Sequence, residues 1–128
     1  MKITRVADAP AHQNPHGVDA RKLYDTEHAQ AVALTLQPGE QLKRHITPVD
    51  AIFFVLEGTG IVEVGDEKVE VTANTLIDSP ANIVHCWYNE SDAVLRVLVV
   101  KVPSLTFTVM VPYSRPVLPS LSQVPETS

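Results

Sequence analysis

Short segments in which apolar and polar residues alternate, each ended by turn residues, are the main feature of the central part of this chain. The clearest pair is Ile61–Val64 and Lys68–Val71, which alternate on either side of Gly65-Asp66-Glu67. This pattern predicts a β-hairpin with a three-residue loop. Since a period of two places successive side chains on opposite faces, such segments can bury one side as strands but not as helices.

Further strands are predicted at Ala31–Leu36, Ala51–Leu56, Thr75–Asp78, Ile83–Tyr88 and Val94–Val102. The second of these is apolar throughout, so we expect it to be buried on both faces. Val18–Ala31 has helix-compatible residues but few helix-start signals, and we interpret it as a strand or an irregular lead-in. Many short strands separated by turns indicate an all-β sandwich or barrel.

The chain has the length of one domain, with 128 residues. We expect a core over about 30–102, an N-terminal lead-in at 1–29 and a proline-rich tail at 112–128, with a last strand at Leu105–Val109. The net charge of −5 and the lack of a Lys/Arg cluster argue against a nucleic-acid partner. No apolar run approaches membrane-spanning length. A single cysteine and the absence of a leader-like start predict a cytoplasmic protein.

Residues 38–58 resemble the first of two motifs shared by the cupin superfamily, G-x5-H-x-H-x3-4-E-x6-G. Gly39, His45 and Gly58 match this pattern. Thr47 stands at the position of its second histidine, and Ala51 at that of its glutamate.

Residues 74–89 resemble the second motif, G-x5-P-x-G-x2-H-x3-N. Pro80, His85 and Asn89 match it, while Asn74 and Asn82 replace its two glycines. Asparagine tolerates positive φ better than other non-glycine residues, so both turns remain plausible. The resemblance implies a single cupin-type antiparallel β-barrel of jelly-roll topology, in agreement with the strand pattern.

In cupins that use a metal, both histidines and the glutamate of the first motif and the histidine of the second bind one ion. The resemblance leaves this chain with His45 and His85, which suit Fe, Mn, Zn or Ni. Threonine is a poor ligand and alanine offers none, so we expect a weakened or absent site. Whether a divalent transition metal is bound stays open.

Asp50 lies one residue before the position of the missing glutamate. On a regular strand that offset turns its side chain to the opposite face, where it would be an exposed carboxylate. A bulge after Pro48 would instead turn it inward and complete a set of two histidines and one carboxylate. We regard the exposed position as the better interpretation.

The resemblance places His45 and His85 on inward positions of facing strands. The expected ligand cavity comprises His45, Thr47, Phe53, Val55, His85 and Trp87. The apolar members of this set would either line a pocket or fill the barrel. Alternation turns Cys86 away from the interior, as a buried and inert thiol. His12, His16 and His28 lie outside the motifs and are expected at the surface.

Three functions remain open from the sequence. The first is a small-molecule-binding module whose cavity lies in the barrel. The second, implied by the family, is a metal-dependent enzyme such as a dioxygenase or an isomerase, with Fe, Mn or Zn as cofactor. The third is a structural or regulatory module that dimerises, since open β-edges need cover. The candidate edges are Gln30–Leu36 and Leu105–Val111, and we expect a homodimer.

Overall fold

A computed structural model describes residues 1–104 and 109–111 of the protein. Regular structure in this part of the chain is a 3₁₀ turn at Val6–Asp8 and ten strands. These strands are β1 (Asp19–Asp25), β2 (Gln30–Leu36), β3 (Gln41–Ile46), β4 (Asp50–Glu57), β5 (Thr59–Val64), β6 (Glu67–Thr72), β7 (Leu76–Ser79), β8 (Val84–Tyr88), β9 (Leu95–Val102) and β10 (Val109–Met110). Over the same residues, no helix has the length and apolar character needed to cross a membrane.

The strands form two antiparallel sheets. Over the described residues, one sheet has the order β1-β2-β9-β4-β7 and the other β10-β3-β8-β5-β6. The strands cross repeatedly from one sheet to the other, as in a jelly roll. This confirms the predicted all-β fold, although the two sheets remain separate and do not close into one hydrogen-bonded barrel.

The hydrophobic core lies between the two sheets. Val97 and Val99 of β9 and Phe53 and Val55 of β4 point inward from one sheet, at alternate positions. Trp87 of β8 meets them from the other sheet, and its ring centroid lies 5.5 Å from that of Phe53. Burial follows the period of two from which the strands were predicted.

Two details of the strands differ from the sequence prediction. Val64 pairs with Glu67, so the hairpin loop has two residues, not three. Gly65 is the first residue of this loop and has the positive φ (63°) that such loops favour there. Strand β4 is buried on its inner face only, because Ile52 and Leu56 remain 36% and 37% exposed on the outer face.

The N-terminal lead-in contributes a full strand to the first sheet. β1 pairs with β2 from Gln30 to Thr35, and β9 pairs with the other side of β2, so this segment is internal and its prediction as an edge was wrong. Val18 and Ala20 belong to the hydrophobic core. Of the predicted last strand only Val109 is described, where β10 begins, and the proline-rich tail at 112–128 lies outside the described residues.

The two asparagines at the glycine positions of the second motif both adopt a left-handed backbone. Asn74 and Asn82 each have φ of 69°. This confirms the expectation that asparagine preserves these turns.

Candidate functional site

His45 and His85 are brought together by the pairing of β3 with β8. They are direct partners in the register of these neighbouring strands. A bulge between Leu42 and His45 adds one residue to β3. Because of this extra residue, the side chains of Leu42 and His45 both point inward although the two residues are three positions apart. The bulge therefore delivers His45 to the interior.

A chain of hydrogen bonds fixes the protons of the two neutral rings. His45 Nδ1 lies 2.6 Å from the Lys43 carbonyl oxygen, which can only accept, so Nδ1 carries the proton and Nε2 is an acceptor. The Nε2 atoms of His45 and His85 are 2.9 Å apart, which makes His85 Nε2–H the donor. His85 Nδ1 then accepts a hydrogen bond from the Ser79 hydroxyl at 2.6 Å. Thr47 Oγ1 lies 3.2 Å from His85 Nε2.

Burial keeps both rings neutral. It lowers the pKa of His45 to about 3 and that of His85 well below its ordinary value of 6.5. His45 and His85 are only 4% and 2% exposed, so a charged imidazole would be poorly solvated at either position. At neutral pH the pair is a set of uncharged hydrogen-bonding groups.

A cavity of about 410 Å³ opens between the sheets and reaches both imidazoles. Its apolar wall comprises Ala20, Val32, Leu34, Leu42, Ala51, Phe53 and Val99. The small side chains of Ala20 and Ala51 leave space where larger residues fill the core elsewhere. Phe53 is the aromatic part of this wall, with its ring 5.1 Å from that of His85 and nearly perpendicular to it.

The N-terminal segment 12–16 forms another wall of the cavity. Asn14 holds it in place by donating to the Val18 carbonyl at 2.8 Å and accepting from the His16 amide at 3.0 Å. His16 packs its ring 4.9 Å from that of His45. Burial lowers the pKa of His16 to about 4, and the charge of Lys43 contributes. The expectation that His16 is a surface residue was wrong, and His12, though exposed, also lines the cavity.

The remaining polar part of the wall comes from Lys22, Gln30 and Lys101. Lys101 alternates with the inward-facing residues Val97 and Val99 of β9, so its side chain points to the same side. This alternation is visible in the sequence, but Lys101 lies outside both cupin motifs. Burial lowers the pKa of Lys101.

The sequence profile of the cupin domain matches residues 32–101, more than half of the chain. The chain belongs to the cupin family. No curated protein sequence shows significant similarity to it.

Solved structures share this cupin fold. The TT1209 protein of Thermus thermophilus is 28% identical, with a TM-score of 0.70 over 80% of this chain and 98% of its own. The polyketide cyclase RemF of Streptomyces resistomycificus is 22% identical, with a TM-score of 0.77 over 90% and 88%. KdgF of a Halomonas species is 17% identical, with a TM-score of 0.71 over 82% and 96%. At these last two identities the likeness concerns the fold alone.

Of the residues that the cupin motifs nominated for the cavity, His45, Phe53 and His85 line it. Thr47, Val55 and Trp87 are almost completely buried, but they lie outside the lining. The indole N–H of Trp87 has no hydrogen-bond partner among the described residues.

The other candidate ligands of the cupin site lie elsewhere. Asp50 is exposed, and its carboxylate accepts a hydrogen bond from the Ala81 amide at 2.9 Å. Cys86 faces away from the cavity toward Glu63 and Tyr88, and burial raises its pKa to about 11. Within residues 1–104 and 109–111, no group of three or more His, Cys, Asp or Glu side chains converges as a metal site.

Proposed function

We propose that this cupin is a binding module that holds a small organic molecule in the cavity between its sheets. The observation that carries the proposal is a space of about 410 Å³ that extends from the N-terminal wall to a buried histidine pair. This volume is typical of small-molecule sites, which combine apolar walls with a few well-placed polar groups. Phe53 and the aliphatic residues supply the walls, and the histidines, Gln30 and the lysines supply the polar groups.

The donor set argues against a tightly held metal. His45 and His85 contribute two imidazoles, while Thr47 and Ala51 replace the other two ligands of the family pattern. As neutral rings the two histidines satisfy one another, Ser79 and the Lys43 carbonyl, so the pair is complete without an ion. Two ligands do not fit a resident ion of the usual four-ligand type.

A metal-dependent enzyme is the second candidate, and one observation favours it. The two Nε2 atoms converge while each Nδ1 is held by a hydrogen-bonding group, which is the arrangement that orients histidine ligands in metal proteins. RemF, a polyketide cyclase with this fold, is an example of an enzyme built on it. Fold alone, however, does not determine function.

The tautomer of His85 separates the two candidates. In a metal-free pair His85 carries its proton on Nε2, whereas two histidines that bind an ion must both carry theirs on Nδ1. Nitrogen-15 NMR of the imidazoles, combined with metal analysis of the purified protein, distinguishes these states. Near-stoichiometric transition metal that is lost in His45→Ala would contradict the binding module.

Binding itself is tested by filling the cavity. Ala51 is buried and lines the cavity, so Ala51→Leu should occupy part of it. In a fragment screen by ligand-observed NMR, fragments that bind the unaltered protein should lose at least tenfold in affinity. Val69→Leu, which adds bulk at an exposed position of β6, should bind them normally. Equal binding to both variants would place the site elsewhere.

A further inference from the structure

The cavity carries positive charge in an acidic protein. The chain has 15 Asp and Glu residues against 10 Lys and Arg. Among the described residues, the cavity lining includes Lys22 and Lys101 but no carboxylate. Acidic side chains are therefore absent from the described wall of the cavity in spite of their excess in the chain.

Lys101 is the cation that most needs a partner. It is half-buried and lines the cavity, and it forms no ion pair within the described part of the chain. Lys22, in contrast, is exposed and pairs with Asp25 at 3.2 Å. Removing an ammonium group from water without a counter-ion is costly, so an anion in the cavity would offset an existing penalty.

His16 supplies a second donor. Its Nδ1 accepts a hydrogen bond from the Lys43 amide at 2.8 Å, so the proton of the neutral ring is on Nε2. No hydrogen bond to His16 Nε2 occurs among the described residues. The ring lines the cavity, and the charge of Lys101 contributes to the lowered pKa of His16, His45 and His85. A positive potential therefore extends across this end of the cavity.

The His45–His85 pair offers no comparable donor. Its one shared proton lies between the two Nε2 atoms, and its other N–H is directed at the Lys43 carbonyl. A ligand that accepts hydrogen bonds would find its donors on Lys101 and His16 instead. A ligand that only donates would leave the Lys101 charge unmatched.

On the basis of the proposed function, we infer that the ligand is an organic carboxylate, with its anionic group bound by Lys101 Nζ and His16 Nε2–H and its apolar body against Phe53. The cavity volume and the aliphatic wall select a carboxylate with a hydrophobic body over a small inorganic anion.

Matched pairs of aromatic carboxylates and their carboxamides, such as 1-naphthoate and 1-naphthamide, test this inference, because the members of a pair differ mainly in charge. Affinities for the full-length protein are measured by ligand-observed NMR. Carboxylates should bind about 10- to 100-fold more tightly than their amides, which is the range expected for a charge-assisted contact.

Lys101→Met should remove this preference, while Lys101→Arg should retain most of it. Lys68→Met, at an exposed lysine on the opposite sheet, should have no effect.

The thermal stability of Lys101→Met provides a second measurement. Removing a half-buried charge should raise the melting temperature of the ligand-free protein even as it abolishes the carboxylate preference. Equal binding of carboxylates and amides to the unaltered protein would overturn the inference but leave the binding module intact. Retention of the preference in Lys101→Met would also overturn it. Failure of every pair to bind would contradict the proposed function itself.

Discussion

His45 Nε2 and His85 Nε2 lie 2.9 Å apart in the interior of the protein and share one proton. Each ring depends on the other, because among the described residues the acceptor on His45 is satisfied only by the N–H of His85. Ser79 and the Lys43 carbonyl complete the chain at its two ends. A buried polar network of this kind is stable only when every member is satisfied. Because both rings must be neutral, the stability of the folded protein depends on pH.

We predict that the protein loses stability as the pH falls from about 6.5 toward 3. The pKa of His45 is lowered to about 3 and that of His85 is also lowered, so below pH 6.5 the unfolded chain binds protons that the folded chain does not. Their contribution is complete above pH 6.5, and His45 alone should cost about 2 kcal/mol between pH 7 and pH 5, to which His85 adds a loss of the same sign. Urea unfolding at the two pH values measures this loss.

The matched variants for this prediction are His45→Gln/His85→Gln and His28→Gln. The double variant should be less stable at pH 7 but lose less of its remaining stability at pH 5. The second variant alters an exposed histidine and should behave as the unaltered protein does. An unchanged pH dependence in the double variant would show that the buried pair does not cause the loss.

We predict that Thr47→His combined with Ala51→Glu creates a metal site. Thr47 Oγ1 already lies 3.2 Å from His85 Nε2, and Ala51 lines the cavity that reaches both imidazoles. Both new ligands would therefore start close to the existing imidazoles. Affinity for added Mn²⁺ in calorimetry should rise at least tenfold. Circular dichroism verifies folding, and adding His45→Ala should reverse the gain. No gain in a folded double variant would contradict the geometry.

The sequence predicted the parts of this fold that depend on local alternation and on the cupin motifs. The strands other than β1 and β3, the inward side chains of β4 and β8 and the turns at Asn74 and Asn82 follow from such patterns. The bulge between Leu42 and His45 did not, because one extra residue in a strand leaves no distinct local pattern. Only the partner strand reveals which residue is unpaired.

The walls of the cavity were less predictable than its histidines. His16 and its neighbours reach the site through the fold-back held by Asn14, a long-range arrangement without a periodic signal. Lys101 could have been found, because it continues the inward alternation of Val97 and Val99. A lysine at the end of a strand is ordinarily exposed, so this alternation alone does not predict a position in the cavity wall.

We predict that the left-handed asparagines tolerate glycine but not alanine. Asn74 and Asn82 have φ of 69°, a conformation that glycine adopts freely and that costs an alanine about 1 kcal/mol each time. Asn→Gly at either position should leave the melting temperature nearly unchanged, whereas Asn→Ala should lower it by several degrees. Equal effects of glycine and alanine would indicate that the side-chain contacts of these residues matter more than the backbone.

We predict a homodimer that buries the outer face of the first sheet. Register places Ile52 beside Val100, and Phe54 between Leu76 and Leu98, so apolar side chains form a continuous patch on β7, β4 and β9. Leu76 is 56% exposed, and exposed apolar patches of this kind favour association.

Light scattering should give twice the chain mass of 14.0 kDa for this dimer, since closed two-fold pairing is the commonest assembly. Ile52→Lys/Leu76→Lys should give monomers, because each subunit would place two ammonium groups in the interface. Val69→Lys, at an exposed apolar position on β6, should remain dimeric.

The alternative is that the proline-rich tail covers the patch within one chain. A full-length monomer that dimerises only when the chain ends at Pro112 would support the tail, and monomers of both lengths across micromolar concentrations would contradict dimerisation altogether.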